Sequence, residues 1–393
     1  MTATLTFLGG AGGTVTGSKH LLENEAGRVL LDCGLFQGLK ALRQRNWAAP
    51  PVDPGTLGAV ILSHAHIDHS GYLPRLCRDG FTGPVYCTPG TSDLLKVMLP
   101  DAAHLQEEEA AFANRHRTSK HDPALPLYTI ADAERALAQV KRVDFGRRFT
   151  ATRGVEARFT PSGHILGAGL VTCETGGRRL VFSGDLGRYD VPIMVDPEPV
   201  AEADVLLVES TYGNRVHPPD DPGDRLTAAV RRTVEQKGWL LIPAFAVGRS
   251  QEILYDLREL EKRGAIPSLP VFLDSPMGIQ ATAIYAAHTE EHDPALARVV
   301  AGGAAPFAPR RFTLSRTVDD SKRLNDAAGP GIIVAGSGMA TGGRILHHLK
   351  RLLPDPKTTV LFVGYQAAGT RGRLLKDGAR EMKMLGTVVP VNA

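Results

Sequence analysis

An apolar strand that runs directly into three histidines and an aspartate constrains this chain more than any other stretch. The segment LGAVILSHAHIDHSG delivers His64, His66, Asp68 and His69 in the spacing HxHxDH. His64 and His66 stand at alternate positions and can converge on one metal ion. Asp68 and His69 lie past a bend and can face a second. Imidazole together with carboxylate suits zinc. The whole chain has 13 histidines in 393 residues, so three in one short run is a poor candidate for an accident on a surface loop.

Three further residues sit where apolar strands end. His164 lies in TPSGHILGAG and Asp185 in VFSGDLG. Alone, the first reads as a satisfied core histidine and the second as a turn cap. Beside the cluster both become candidate ligands, and a carboxylate between two zincs can bridge them. Asp32, in LLDCG, is either a turn residue or a hydrogen-bond partner that holds the histidine loop.

The chain changes character along its length. The first half is strand-rich, with TLTFLGG, RVLLDCG, VEARFTPSGH, GLVTCET and RRLVFSGD as strands and a long helix near Thr91 to His116. Thr129 and Asp132 compete as the N-cap of a second helix. The second half alternates helix and strand, which predicts a mostly parallel sheet covered on both faces. Within it, Asp293 to Pro309 reads as a loop, Thr317 to Ala328 as a helix and TTVLFVGY as a strand. The boundary falls near Tyr212 to Gly223. At about 150 residues per domain, two or three domains are expected.

Composition removes several alternatives. Hydrophobic residues at 43% and charged residues at 22% exclude disorder and collagen-like structure. A formal net charge of +3 is too mild to announce nucleic acid by itself. Cys33, Cys77, Cys87 and Cys173 form no CxxC pair, which argues against a zinc ribbon or a disulfide framework. With no signal-peptide pattern and no membrane-length apolar run, a cytoplasmic protein without membrane contact is expected. The sequence carries no signal for an oligomeric state.

HAHIDH, then SGH, then SGD resembles the metallo-β-lactamase superfamily, whose fold is an αββα sandwich with zinc at one edge. VESTYGNR, IPAFAVGRSQE, LDSPMG, AGSGMATGGRILHHLK and VGYQAAGTRGR look like its β-CASP subfamily of RNA-processing ribonucleases. They are similar to bacterial and archaeal relatives of the endonuclease subunit that cleaves pre-mRNA 3′ ends. The resemblance implies an α/β chain in which a doubly wound β-CASP cap domain is inserted into the metallo-β-lactamase sandwich. The expected organisation is residues 1–212 as the metallo-β-lactamase domain, 213–363 as the cap, and 364–393 as a return segment to the first domain.

The same resemblance implies two Zn2+ per chain. His64, His66 and His164 would hold one ion, Asp68 and His69 the other, and Asp185 both. Glu209 of VESTYG matches the family's acid beside the zincs and would orient a proton donor or the attacking water. The substrate implied is single-stranded RNA, cleaved by a water that zinc activates near neutral pH. Arg249, at a helix start, and the loop residues Ser337, Gly338, Met339, Thr341, Gly342 and Gly343 are the candidate phosphate contacts. Lys350, Arg351, Arg371 and Arg373 are looser basic candidates. In the family, a segment similar to GTVVPVNA runs on into SAHAD and a later His–Gly pair. These have no counterpart here, so a weakened second zinc, impaired leaving-group protonation and an exposed sheet edge are expected. Two other readings stand beside the ribonuclease: an RNA-binding scaffold with little or no catalysis, and a small-molecule metallohydrolase.

Overall fold

Strands β1 (Thr4–Gly9), β2 (Lys19–Glu23), β3 (Arg28–Leu31), β4 (Ala59–Ile61), β5 (Val85–Cys87) and β6 (Val140–Arg142) form one sheet in that order. The first two pairings are antiparallel and the remaining three parallel. The second sheet runs β11 (Val205–Leu207), β10 (Arg178–Phe182), β9 (Gly169–Thr175), β8 (Val155–Pro161), β7 (Arg148–Thr152). Its pairings are antiparallel except β10 with β11.

The two sheets share one core. Val29, Leu31, Ala59 and Ile61 of the first meet Ala157, Phe159, Val171, Cys173 and Phe182 of the second. The strand patterns match these positions. β4 has parallel neighbours on both sides, and all three of its residues are buried, as parallel strands require. β8 alternates instead: Val155, Ala157 and Phe159 face in, while Glu156 and Arg158 face out. Helices Pro89–His116 and Ile130–Ala138 cover this unit. At the second, both N-cap candidates act together. Thr129 caps, and the Asp132 carboxylate accepts a hydrogen bond from the Thr129 N–H in return.

A computed structural model describes residues 2–216 and 221–393. The chain divides into two compact units, Met1–Asn214 and Arg215–Ala393. The boundary lies inside the loop expected to hold it; residues 217–220 of that loop lie outside the described residues. The second unit carries a parallel sheet in the order β14 (Arg311–Leu314), β13 (Pro270–Asp274), β15 (Gly331–Ala335), β12 (Trp239–Pro243), β16 (Thr359–Val360). Every residue of β12 and β15 is buried, which explains their uninterrupted apolar runs.

Several expectations change here. Residues 364–393 do not return to the first unit. They form a helix (Arg371–Lys376) and a hairpin of β17 (Glu381–Met384) and β18 (Thr387–Pro390). Met382, Met384 and Val389 on one face of that hairpin join a core with Trp239, Leu241, Ile345 and Leu349 of the second unit. The amides of Asn392 and Ala393 close on the Leu353 carbonyl at 2.8 and 3.1 Å. The expected loop at Asp293 to Pro309 contains the helix Pro294–Ala301, whose first turn is capped by the Asp293 carboxylate. The helix expected from Thr317 to Ala328 spans only Val318–Arg323, and the strand in TTVLFVGY only Thr359–Val360.

Candidate metal centre

Three strand ends of the first unit meet at one edge of the sandwich. β4 ends at Ile61 and passes through Ser63 to His64, and His66 precedes the single-turn helix Ile67–Ser70 that carries Asp68 and His69. β8 ends at Pro161, three residues before His164, and β10 at Phe182, three before Asp185. Gly184 makes the last approach possible. Its φ is +53°, and a Cβ there would lie 2.6 Å from the Ser63 Cβ. Only glycine fits both conditions.

The donor atoms converge as the spacing suggests. His66 Nδ1 lies 3.1 Å from His64 Nε2 and 3.2 Å from His164 Nε2. Asp185 Oδ2 is 3.4 Å from His164 Nε2 and 3.9 Å from His64 Nε2. Its other oxygen, Oδ1, is 3.1 Å from His69 Nε2, which in turn is 3.9 Å from Asp68 Oδ2. Zinc–nitrogen bonds of about 2.0–2.1 Å in a tetrahedron put neighbouring donors about 3.3 Å apart. The separations bracket that edge, so His64, His66, His164 and Asp185 fit one ion, while His69 joins Asp68 to the free oxygen of Asp185 beside it.

Electrostatics separate the two groups. His64 is fully buried; burial, with His69 beside it, holds its pKa well below the ordinary value. It is therefore neutral, with a lone pair for a metal. Burial would also lower His69, but Asp185 and Asp32 outweigh it and raise the imidazole well above its ordinary value. Asp185 is lowered well below the carboxylate range, because His69 and the other imidazoles outweigh its burial. Asp68 is pushed up to about 6 by burial, with Asp185 adding to the effect and His69 opposing it.

A proton on His69 Nε2 occupies the lone pair that a metal needs. Metal uptake by the metal-free chain is therefore expected to release protons and to tighten as pH rises through the His69 titration. Calorimetric zinc titrations in buffers of different ionisation enthalpy count those protons. Affinity that stays flat between about pH 6 and 8, with none released, would contradict this.

Asp32 is the hydrogen-bond partner of the histidine loop. It is fully buried. Its Oδ2 accepts from His69 Nδ1 at 2.6 Å and from the Ser18 and Ser63 hydroxyls at 3.0 Å, while Oδ1 accepts from the Ser63 amide at 2.7 Å. Binding Nδ1–H this way leaves Nε2 as the ligand atom. Sequence reasoning missed Ser18 and Ser63; the placement of Ser63 immediately before His64 is the one local signal. Glu209 accepts the Leu186 amide at 3.2 Å and the Thr211 amide at 3.1 Å. It thereby holds the backbone next to Asp185.

The candidate phosphate contacts lie in the second unit. Arg249 opens the helix Arg249–Lys262 and pairs with Glu252 one turn on. Ser337 Oγ accepts the Thr341 amide at 3.2 Å and lies 3.0 Å from the Thr341 hydroxyl, which closes the loop on itself. Thr341 and Gly343 are exposed and Gly342 half-buried, whereas Gly338 and Met339 are buried. The Met339 side chain thus belongs to the interior. Arg371 donates to the Thr341 carbonyl at 3.2 Å and to the Lys383 carbonyl at 3.2 Å, tying this loop to the hairpin. Arg373 pairs with Asp377 at 2.7 Å, and Arg351 lies 5.9 Å from the Trp239 ring centre.

Comparison with known proteins gives a consistent picture. A family model described as Metallo-beta-lactamase superfamily matches residues 13–244, and one described as Beta-Casp domain matches residues 250–375. Ribonuclease TTHA0252 of Thermus thermophilus is 38% identical over 385 residues, which cover 98% of this chain and 84% of that protein. An RNase J-like protein of Methanocaldococcus jannaschii is 31% identical, with 94% of this chain and 80% of that protein covered. Transcription termination factor FttA of Methanosarcina mazei is 33% identical over 97% of this chain, but the chain spans only 59% of that longer protein.

Proposed function

Because the chain belongs to the metallo-β-lactamase superfamily and carries a Beta-Casp domain, a pairing of metal-dependent hydrolases, we propose that it is a zinc-dependent ribonuclease acting on single-stranded RNA. The observation that carries this reading is the Asp185 carboxylate. One of its oxygens is turned to His64 and His164, and the other to His69. Such an arrangement suits two ions held close enough to share one phosphodiester. Bound zinc acidifies a water and offsets charge on the phosphoryl oxygens.

The chain's own residues do the remaining work. His64, His66 and His164 would hold one ion, with His64 kept neutral by its burial, and Asp68 with His69 would serve the other. Asp32 holds the His69 ring so that Nε2 stays aimed inward. Glu209 fixes the turn that carries Asp185 through the Leu186 amide. We assign it this positioning part in place of the orienting of water or a proton donor. Thr341, Gly342 and Gly343, with Arg249, are the proposed contacts to RNA phosphates.

Single-turnover cleavage of a labelled single-stranded RNA by metal-stripped and zinc-reloaded protein tests the reading. Cleavage should vanish on stripping and return with zinc, and a thioester offered in parallel should stay intact. Thioester hydrolysis without RNA cleavage would replace the ribonuclease by a small-molecule hydrolase. Tight RNA binding without cleavage at full zinc would leave a scaffold. Arg249→Ala should weaken RNA binding alike for all sequences and flatten the salt dependence by about one unit of slope. An unchanged slope would confine Arg249 to its pair with Glu252.

A further inference from the structure

Lys19 is an anomaly. It is only 4% exposed, and lysines are almost never buried unless paired. Among the described residues no carboxylate pairs with it. Its Nζ donates to the Gly34 carbonyl, and it lies 4.5 Å from the Phe36 ring centre and 4.8 Å from that of Tyr72. Two aromatic faces and one carbonyl thus replace an acid partner, an arrangement that strengthens as water is excluded. Burial brings the Lys19 pKa down to about 8, so the ammonium stays charged at neutral pH.

The carbonyl it holds belongs to a segment packed directly on the metal ligands. A Cβ on Gly34 would lie 1.5 Å from the Asp68 carbonyl oxygen and 2.7 Å from the His69 nitrogen. Around that contact the backbone is laced together. Ser18 N–H donates to the Asp68 carbonyl at 2.9 Å, Gly34 N–H to the Ser18 carbonyl at 2.9 Å, and Cys33 N–H to the His69 carbonyl at 2.7 Å. Leu35 N–H reaches the Ile67 carbonyl at 2.9 Å, and Tyr72 N–H the Cys33 carbonyl at 2.8 Å. Without the ammonium, the Gly34 carbonyl becomes a buried acceptor lacking a donor, and the segment must shift to find one. Backbone this close passes the shift to Asp68 and His69. His64 and His164 take no part in this lacing, whereas the His66 carbonyl, at its near edge, accepts the His69 and Ser70 amides at 2.9 Å.

We propose that Lys19, its ammonium seated against Phe36 and Tyr72, is a positioning residue for the Asp68–His69 arm of the metal centre, acting by pinning the Gly34 carbonyl. The inference rests on the two-ion reading above. Lys19→Met keeps the length of the side chain and removes its donor and charge. In the full chain it should weaken the second zinc equivalent by about 10-fold or more, the cost usual for residues that orient metal ligands. The first equivalent should stay close to its parental affinity. Competition against a chromophoric chelator reads both equivalents, and the visible absorption of cobalt(II) should change for the second only. If Lys19→Met does not fold, Tyr72→Leu keeps the lysine, removes one ring, and should act in the same direction by less. Parental affinity for both equivalents in a folded variant overturns the proposal, and so does an equal loss from both, which marks a general effect on the fold. A parent chain that takes up no second equivalent overturns the two-ion reading and this inference with it.

Discussion

Asp185→Asn is expected to slow RNA cleavage by about 10³-fold while changing RNA affinity only a few-fold, since several kcal/mol of metal-derived stabilisation depend on this one side chain. Its oxygens lie 3.1 Å from His69 Nε2 and 3.4 Å from His164 Nε2, so it reaches both donor groups. Asparagine keeps the shape and supplies one oxygen. Its NH2 cannot ligate and would face either a histidine nitrogen or a cation. One negative charge would also be lost from between the two proposed ions. The proposed phosphate contacts sit on the second unit and are untouched. Zinc content, dissociation constant and single-turnover rate, measured on the same oligonucleotide, separate these effects. A large loss of RNA affinity with unchanged turnover would place Asp185 outside the reacting centre.

The part of the site that could be read in the sequence is the part built from strand ends. An apolar strand followed by a polar residue is a local signal, and His64, His164 and Asp185 announce themselves that way, while Asp68 was legible through its spacing from the histidines. Asp32 carried the same signal, but its two readings could not be separated. The deciding contacts come from Ser18, Ser63 and His69, which are distant in sequence. Lys19 and Gly34 were invisible for the same reason. A lysine at the start of a strand reads as a solvated side chain, and nothing local says that an aromatic pair covers it. The C-terminal segment was misplaced because a short hairpin with alternating methionines fits any exposed apolar core; its choice of the Trp239 cluster is a tertiary fact. The helix Pro294–Ala301 was hidden by Pro294 and by Gly302 and Gly303, residues that bracket a helix as readily as they fill a loop.

Asp32→Asn should cause the largest loss of stability, about 3–5 kcal/mol for the metal-free chain, the usual cost of breaking one side of a buried charged pair. At about 2–4 °C per kcal/mol for a unit of this size, the transition should fall by roughly 10 °C. Backbone strain is not the cause. Asp32 has φ +59°, a region that asparagine tolerates as well as aspartate. The loss comes from hydrogen bonding. Four donors converge on the carboxylate, and an NH2 in place of either oxygen sets buried donor against donor. The His69 ring then has reason to turn its proton to Nε2, the atom that should face the metal, so zinc affinity should fall as well. The pH dependence identifies the charge pair. Asp32 helps raise the His69 pKa in the folded chain. A raised folded pKa contributes stability that is fully present below the unfolded histidine value of about 6.5 and is lost as pH rises through the folded value. The deficit of Asp32→Asn should therefore be greatest in mild acid and shrink toward alkaline pH. Thermal unfolding of both metal-free proteins from about pH 6 to 9 measures it, with the parent as reference. A deficit constant across that range would mean that Asp32 acts through hydrogen-bond geometry alone and that His69 is not its charge partner.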